Sequence, residues 1–581
     1  MFKMASALHW IPDSLYNTAI TTVVSCFNVF QKELRTFPEN VLFDIYYKLY
    51  KQGRLCQLGF EFCNLEVFSR VLKVKDKRHL LHHCFQALMD HGAHTSEHLA
   101  DAYYQHCLTV KHSSVQVKDR TIQLGLSLGS ILSDAGWFLD AEKIMKSSME
   151  ICKQLKDPPH LNILLECCIR LLHVQNAYCK FREAEETFQE AQKYIEQLKS
   201  IGYPVNLAGH YAVFSSLYFS QSHYNEAYRW SLEALKCLNS SLPVKTIIHV
   251  LRQAAKACVI KRYFKKAGLL IKQALHLSRE HFGCKHPKTA DTLQDYGFYL
   301  LNVDSNRQSV KVYQTALDVR QCVFGGHNLH VAIAHEDLAY ASYVHEYSSG
   351  KFQHAREHAD KAMAIMKHLL PEDHLLLASS KRVKALILEE IAIDNHDKEA
   401  EQRLLSEAQD LHMSALFVAQ RTFGEMNVQT AKHYGNLGRL YQSMKRFKEA
   451  EEMHLKAIQI KEKLLGGDDY EVALSVGHLA SLYNYDMLLF EKAEKLYCRS
   501  VSIGIKLFGK GYSGLEYDYR GLLRVYTTLD DYEKTAYYTR ILHHWKQLRD
   551  QTTKVENEMS PLNLQILPLS VEEIFPIFEK L

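Results

Sequence analysis

The chain has 581 residues, with 70 Lys and Arg against 66 Asp and Glu, so its formal net charge is +4. This near balance argues against nucleic-acid binding, because proteins that bind nucleic acids carry a strongly basic surface. The length exceeds that of an ordinary domain several-fold, and 25 Gly and 11 Pro are about half the usual share, which favours helices joined by short turns.

The N-terminus offers no targeting signal. Residues 1–13 lack the basic and then apolar pattern of a signal peptide, and no apolar run approaches the roughly 18 residues of a membrane span. We therefore expect a cytoplasmic and nuclear protein that is not secreted, whose 14 Cys are reduced. Association with microtubules or membranes through a partner is compatible with this expectation.

A first helix is predicted after the cap signal at Asp13 and Ser14. Its apolar residues at i, i+4 and i+8 form one stripe of Leu15, Ala19 and Val23. The pattern resembles the elongin B/C-binding box of ubiquitin-ligase substrate receptors, in which Ser or Thr and Leu precede a Cys and an aliphatic residue. Ala19 stands where that box usually has Cys. The resemblance implies that Ser14, Leu15, Ala19 and Val23 contact elongin B/C.

A second helix is predicted from Pro38, which is tolerated in a first helical turn. Val41, Ile45 and Leu49 form its apolar stripe. With Phe37, this segment resembles a cullin-2 box, and the order of the two boxes is similar to that in von Hippel–Lindau-type receptors. The resemblance implies that Phe37, Pro38, Val41 and Ile45 contact cullin-2, which brings a RING subunit. The alternative is that both helices only cap the solenoid.

These boxes define a predicted segment 1–52, and residues 53–120 are predicted to be a helical region that joins it to the rest of the chain. The joining region contains side chains that are able to bind zinc, namely Cys56, Cys63, His82, His83 and Cys84. Their spacing matches no standard zinc module, so helix packing or surface exposure explains them better. We predict no metal and no cofactor.

From residue 121 to 545 the sequence repeats. A small residue recurs seven positions after another small residue nine times, at steps of 40 to 53 residues. A period of this kind predicts an array in which each helical hairpin packs on its neighbours. The small pairs are Ala141/Ser148, Ala184/Ala191, Ala227/Ala234, Ala267/Ala274, Ser309/Ala316, Ala355/Ala362, Ala408/Ala415, Ala450/Ala457 and Ala493/Ser500.

The clearest repeat predicts two helices. The first carries residues at i, i+3, i+4 and i+7, and the second follows Phe447 with two small residues, two turns apart. The columns resemble the tetratricopeptide repeat at Tyr434, Leu437, Gly438, Tyr441, Ala450 and Ala457. A period near 42 predicts a longer second helix, similar to kinesin light chains, closed by glycine caps at Gly283, Gly325, Gly424, Gly466 and Gly509. We therefore predict an all-α tetratricopeptide-repeat solenoid of nine to ten hairpins.

Two stretches depart from the period. The polar segment 389–401 lengthens one step and predicts a longer hairpin or a solvated loop. A weak tenth repeat is predicted near residues 519–538. The tail 546–581 loses the period and contains Pro561, Pro568 and Pro576, so we predict that it is flexible or caps the solenoid.

Apart from this tail, the chain resembles the amyloid protein-binding family of tetratricopeptide receptors, on segments 46–58, 76–92, 431–444 and 512–521. The resemblance implies a substrate receptor of a cullin-2 RING ubiquitin ligase. It also implies recognition of substrate C-terminal degron peptides that contain Arg and Gly, and binding of the cytoplasmic tail of amyloid precursor protein. A homodimer is compatible with such a solenoid.

A tetratricopeptide solenoid lines its concave face with the first helix of each repeat, which predicts a peptide groove. Amide and cationic side chains are suited to a peptide carboxylate, carboxylates are suited to a degron Arg, and aromatic rings are suited to the residues between them. The predicted degron-binding residues are Asp295, Phe298, Glu336, Asp337, Tyr340, Lys432, Asn436, Arg439, His478 and Asn484.

The sequence carries no phosphate-binding loop and no arrangement of nucleophile and base that a repeat array could support, so we predict a non-catalytic adaptor. The alternative function is a kinesin-light-chain-like cargo adaptor that links membrane-protein tails to microtubule transport. Residues 1–120 contain no sustained coiled-coil heptads, which favours the ligase receptor.

Overall fold

The computed structural model describes residues 14–155, 157–347, 350–558, 560–564 and 566–581. Within these ranges the chain forms 28 α-helices and no β-strand, so the predicted all-α class is confirmed. None of the helices described is both long and apolar enough to cross a bilayer. The chain forms two compact units. The first comprises residues up to 178 with 189–203 and 323–325, and the second comprises 179–188, 204–322 and 326–581.

The first unit begins with short helices and continues with longer ones. Two short 3-10 helices, Glu33–Thr36 and Arg78–Leu80, lie between them. Its α-helices are α1 (Leu15–Ser25), α2 (Phe27–Phe30), α3 (Glu39–Lys51), α4 (Leu55–Phe62), α5 (Leu65–Val71), α6 (Leu81–Asp90), α7 (Thr95–Val110), α8 (Val115–Asp134), α9 (Phe138–Cys152) and α10 (Pro158–Ala177).

Helix α11 (Phe181–Ser200) divides between the units, and the second unit continues as antiparallel hairpins. Its helices are α12 (Ala208–Ser220), α13 (Tyr224–Lys236), α14 (Val244–Ile260), α15 (Phe264–Phe282), α16 (Pro287–Asn302), α17 (Asn306–Phe324), α18 (Leu329–Glu346), α19 (Gln353–Leu369), α20 (Leu375–Ile393), α21 (Lys398–Phe423), α22 (Val428–Ser443), α23 (Phe447–Leu465), α24 (Tyr470–Ser481), α25 (Phe490–Phe508), α26 (Leu515–Thr528), α27 (Tyr532–Glu558) and α28 (Val571–Lys580).

The small residues that mark the period are the points where helices cross. All eighteen are buried, and seventeen of them are at most 1% exposed, the exception being Ser500 at 7%. Gly438 of α22 shows why the columns must stay small, because a Cβ there would lie 2.8 Å from the ring of His454 in α23. Close helix approach therefore depends on these side chains.

The predicted glycine caps are present. Gly283, Gly325, Gly424, Gly466 and Gly509 adopt φ values between 67° and 87°, and Gly283, Gly424, Gly466 and Gly509 are the C-caps of α15, α21, α23 and α25. This left-handed conformation suits glycine and ends the helix. The second helices α15, α23 and α25 have 19 residues each, as the long period predicts.

Turns of early hairpins in the second unit contact the helix starts of much later hairpins. Ser222 Oγ accepts a hydrogen bond from Gln429 Nε2 at 3.1 Å. The Arg262 guanidinium lies 3.8 Å from the Asp469 carboxylate, and Asp304 accepts from the backbone N–H of Ser513 at 2.8 Å. The three turn residues have φ values of 61° to 66°. These contacts, over 200 residues apart in sequence, add to the neighbour-to-neighbour packing of a repeat array.

The insertion takes the form of a longer hairpin rather than a solvated loop. Only residues 394–397 separate α20 from α21, which has 26 residues. The added turns are held by apolar side chains between the two helices, because Leu388, Ala392, Leu405 and Ala408 are buried together. Most polar residues of this segment are exposed, either in the turn or in the first turn of α21, whereas Glu389 is buried and Glu390 is largely buried beside Arg439.

The predicted tail is packed against the second unit. The tenth hairpin is present as α26 and α27, and α27 continues to residue 558, beyond the predicted boundary at 545. Residues 560–564 and 566–581, here called the C-terminal strap, then lie on the core formed by α12 to α17. Ile574 and Phe578 of the strap are 0% and 1% exposed. Apolar residues between the prolines explain why this segment packs.

Candidate functional site

The predicted elongin box forms an exposed helix face. Ser14 is the N-cap of α1, and its hydroxyl accepts from the N–H of Asn17 at 3.2 Å. Leu15 is 91% exposed, Ala19 is exposed and Val23 is half-buried. The opposite face of α1 is buried through Ile20 and Val24. The predicted stripe is therefore available to a partner.

The predicted cullin box is only partly accessible. Pro38 is exposed at the N-cap of α3, and Phe37 and Val41 are half-buried. Ile45 is 0% exposed, because its stripe with Leu49 faces the core of the first unit. The first three residues are open to direct contact, whereas Ile45 holds α3 in place.

The possible zinc ligands are not brought together. Cys56 Sγ lies 3.5 Å from His91 Nε2, Cys63 Sγ lies 3.9 Å from Thr95 Oγ1, and Cys84 is buried. His82 is 8% exposed. Across the ranges that the structure describes, no three His, Cys, Asp or Glu side chains are arranged to hold a metal ion.

A cavity of about 1120 Å³ lies within the second unit. Its walls come mainly from the first helices of successive hairpins, α18, α20, α22, α24 and α26, together with α27 and a few residues of α17, α23 and α25. Five of the ten predicted groove residues line it: Tyr340, Lys432, Asn436, Arg439 and His478.

Arg439 is held by carboxylates of the chain itself. Its guanidinium pairs with Glu390, lies 3.3 Å from Glu389 Oε2 and donates to the Tyr343 hydroxyl at 3.0 Å. Burial raises the pKa of Glu389 to about 7, although Arg439 opposes that rise. Because two carboxylates already surround the cation, Arg439 is a poor candidate for a direct clamp on a ligand carboxylate.

Lys432 is paired but remains beside a second cation. Its Nζ lies 3.0 Å from Glu471, which is also 3.1 Å from Lys461 Nζ. Burial opposes ionisation of Glu471, yet the two ammonium groups hold the pKa of that carboxyl well below its usual range. The trio of one carboxylate and two ammonium groups carries a net positive charge into the cavity wall.

Two donors in the same wall are suited to an anionic or carbonyl group. Asn436 Nδ2 is buried and has no hydrogen-bond acceptor in the described part of the chain. The Arg382 guanidinium lies 5.4 Å from the centre of the Tyr340 ring and lines the cavity. Arg382 was not predicted as a groove residue, because the insertion at 389–401 obscures the repeat period around α20. The buried small residue Ala385, which corresponds to Gly438 of α22, would have identified the repeat.

The predicted carboxylates differ in their partners. Asp295 lies 2.6 Å from Arg252 Nε and 3.6 Å from Lys256 Nζ, so its charge is compensated. Glu336 accepts from Ser379, and Asp337 accepts from Gln294. Burial raises the pKa of Glu336 to about 7 and that of Asp337 to about 6. None of these three acidic residues belongs to the cavity lining.

Phe298 and Asn484 lie away from the cavity lining. Phe298 is half-buried, with its ring centre 6.3 Å from that of Phe219. Asn484 is 0% exposed and donates to the carbonyl of Gly521 at 3.1 Å. Its placement in the groove assumed a regular helix, but residues Leu482–Asp486 form a π-helical turn that rotates the side chain into the packing.

Comparisons with known proteins agree with the repeat architecture. A tetratricopeptide-repeat family model matches residues 430–471. Over 574 residues the chain is 60% identical to amyloid protein-binding protein 2 of Mus musculus, and the match covers 99% of this chain and 98% of that protein. The protein of the same name from Rattus norvegicus gives the same identity and coverage.

Two solved structures are more distant. Kinesin-light-chain TPR-like repeats of Podosopora anserina are 18% identical, with 38% of this chain and 97% of that chain covered and a TM-score of 0.28. A Rap protein complexed with competence and sporulation factor is 14% identical, with 74% of this chain and 99% of that chain covered and a TM-score of 0.42. At these TM-scores neither structure bears on function.

Proposed function

The chain belongs to the amyloid protein-binding protein 2 family, and from that premise we propose that it is the substrate-recognition subunit of a cullin-2 RING ubiquitin ligase. In this proposal the chain catalyses nothing itself. It raises the local concentration of a substrate peptide beside the ligase, with elongin B/C on α1, cullin-2 at the start of α3, and the peptide in the cavity of the second unit.

The observation that carries the ligase proposal is the exposure of Leu15. A leucine that is 91% exposed on a helix whose other face is buried serves no packing purpose within the described part of the chain. Large apolar side chains exposed next to one another, here with Tyr16 at 46%, are typical of protein-interaction sites. Docking on elongin B/C would bury this surface.

The cavity supports the peptide part of the proposal. It combines an aromatic wall at Tyr340 with the Asn436 amide, which has no acceptor in the described part of the chain, and with the cations Arg382, Lys432 and Lys461. The donors suit the terminal carboxylate of a peptide. Glu336 and Asp337 of α18 lie outside the cavity lining, so a peptide Arg would have to extend beyond the cavity to meet them. A cytoplasmic tail, such as that of amyloid precursor protein, is the same class of ligand.

Capture of purified elongin B/C and cullin-2 tests the ligase proposal. We expect Leu15→Ser to reduce elongin capture at least tenfold without a loss of helical signal, because the side chain makes few contacts in the folded chain. The matched control is Leu108→Ser, which removes a leucine that is 50% exposed on α7 of the same unit. Pro38→Ala should weaken cullin-2 more than elongin B/C.

The same experiment separates the alternative. If the wild type captures neither partner but binds a fluorescent peptide of the amyloid precursor tail, the ligase role fails and a kinesin-light-chain-like cargo adaptor becomes the better proposal. If Leu108→Ser loses elongin as severely as Leu15→Ser, the α1 face is not the docking surface.

A further inference from the structure

We propose that α27 and the C-terminal strap act as a clasp: α27 forms one wall of the peptide cavity, and the strap holds that wall in place. This inference rests on the proposed peptide-binding role and concerns the regulation of the same site. It assigns a function to the second half of α27 and to the strap, which extend beyond the predicted end of the repeats at residue 545.

Helix α27 reaches the cavity with its second half. Trp545, Arg549, Thr553 and Glu556 all line the cavity. Trp545 Nε1 donates to the carbonyl of Tyr512 at 2.8 Å, which fixes the helix to the start of the α26 hairpin. Since α27 has 27 residues, it extends well past the length of its partner α26, and the extra turns supply this wall.

The far end of α27 is bound to the turn between α16 and α17. Arg549 Nη1 donates to Asp304 at 2.8 Å, and Asp304 also accepts from Ser513. The Ser305 hydroxyl donates to Glu556 Oε1 at 2.8 Å, and Gln308 donates to the backbone carbonyl of Glu556 at 3.3 Å. Helix α27 is thus joined to a turn that lies about 250 positions earlier in the sequence.

The strap, which follows α27 in the chain, is bound to α15 and to the turn after α13. Gln273 is 3% exposed; its amide donates to the Leu567 carbonyl at 2.8 Å and accepts from the Leu569 N–H at 3.2 Å. Arg279 donates to the Leu562 carbonyl at 2.6 Å. Gln273 and Arg279 therefore form three hydrogen bonds with the backbone of the strap. Such bonds fix the position of an extended segment along the helix that it contacts.

Apolar burial completes the anchor. The side chain of Phe578 is 1% exposed, and the Lys266 ammonium lies 4.6 Å from the centre of its ring. Glu572 accepts from the N–H of Ser240 at 2.9 Å, which ties the start of α28 to the end of α13. None of the residues that line the described cavity belongs to the strap. The effect of the strap on a ligand is therefore indirect, and in this proposal it passes through α27.

Phe578→Ala tests the clasp, with Phe68→Ala as its matched control. Both phenylalanines are buried, at 1% and 0% exposure, but Phe68 lies in the first unit. We expect Phe578→Ala to speed amide hydrogen exchange in residues 545–558 and in the 303–308 turn. We also expect a fluorescent peptide of the amyloid precursor tail to dissociate about tenfold faster, since interface changes act mainly on dissociation. Phe68→Ala should change neither.

A second variant guards against general unfolding. A chain that ends at residue 559 should show the same faster exchange, and addition of a synthetic peptide of residues 560–581 should restore the slow exchange. Unchanged exchange in α27, or faster exchange with an unchanged peptide lifetime, would overturn the clasp. If the wild type binds no peptide at all, the proposed function fails, while the exchange measurements still decide whether the strap holds α27.

Discussion

At the scale of single residues, charge compensation decides which groove side chains are free to bind a ligand. Arg439 and Asp295 were both predicted to bind a peptide because of their charge. Each forms an ion pair with a residue of opposite charge in the chain itself. Asn436 Nδ2, by contrast, has no acceptor in the described part of the chain, and the Arg382 guanidinium lies over the Tyr340 ring in the same wall. The repeat period predicts on which face of a helix a side chain lies. It does not predict the charged residues that pair with that side chain, because they belong to helices more than 40 residues away in sequence.

Asp518 gives a pH-dependent prediction at this scale. It is 5% exposed and accepts from the Ser500 hydroxyl at 2.6 Å, and burial raises its pKa to about 7. A carboxyl whose pKa is higher in the folded state adds stability below its unfolded pKa and loses it as pH rises through the folded pKa. Asp518→Asn, which keeps an acceptor for Ser500, should therefore become more stable than the wild type as pH rises.

We expect the free energy of unfolding of Asp518→Asn to gain about 2 kcal/mol on the wild type between pH 5 and pH 8. Urea denaturation at the two pH values measures this difference. Asp410→Asn, on the exposed surface of α21, is the control whose offset should stay constant. A constant offset for Asp518→Asn as well would contradict a titration in this pH window.

At the scale of elements, the small residues determine where the two helices of a hairpin cross, and the glycine caps determine where the second helix ends. These features were predictable because they depend on spacing within one hairpin. The π-helical turn at residues 482–486 and the packing of the strap were not, because both depend on contacts with distant helices. The hairpin at the insertion was ambiguous for a similar reason, since buried Glu389 owes its place to Arg439 on another hairpin.

Gly438→Ala tests the close crossing of α22 and α23. Its new Cβ would lie 2.8 Å from the His454 ring, and His454 is 0% exposed, so the ring has little room to move. We expect a loss of about 2 kcal/mol in the free energy of unfolding, typical of overpacking. Thermal and urea denaturation provide the measurement.

Gly435→Ala on the same helix is the matched control. Its nearest neighbours would be 3.9 Å away, which is ordinary contact, and alanine favours a helix by up to about 1 kcal/mol. We expect Gly435→Ala to be neutral or stabilising. Equal losses at both positions would show that close approach is not the reason for glycine at 438.

At the scale of the whole molecule, the reactivity of the cysteines measures how well the cores of both units are closed to solvent. All fourteen are free, and Cys26, Cys56, Cys284, Cys322 and Cys498 are exposed. Burial raises the pKa of Cys84, Cys152 and Cys258 to about 12 in each case. Because the thiolate is the reactive form, buried thiols of this kind are protected from alkylation.

A short pulse of iodoacetamide should therefore modify the five exposed cysteines of the native chain and spare the six buried ones, which are Cys84, Cys107, Cys152, Cys167, Cys168 and Cys258. Mass spectrometry of digested protein counts the sites, and a sample in denaturant should show all fourteen modified. Early modification of Cys258 would indicate that the α14–α15 core opens readily.

The turn contacts at Ser222, Arg262 and Asp304 bear on how such a chain can evolve. Repeat proteins commonly gain or lose units by duplication and deletion, because each unit meets only its neighbours. Here three successive turns each meet a helix start 207 to 209 residues further on. One added or deleted unit between them would shift all three pairings by a full hairpin. The number of repeats in this stretch is therefore fixed by its own geometry, and variation between relatives should fall on side chains rather than on repeat count.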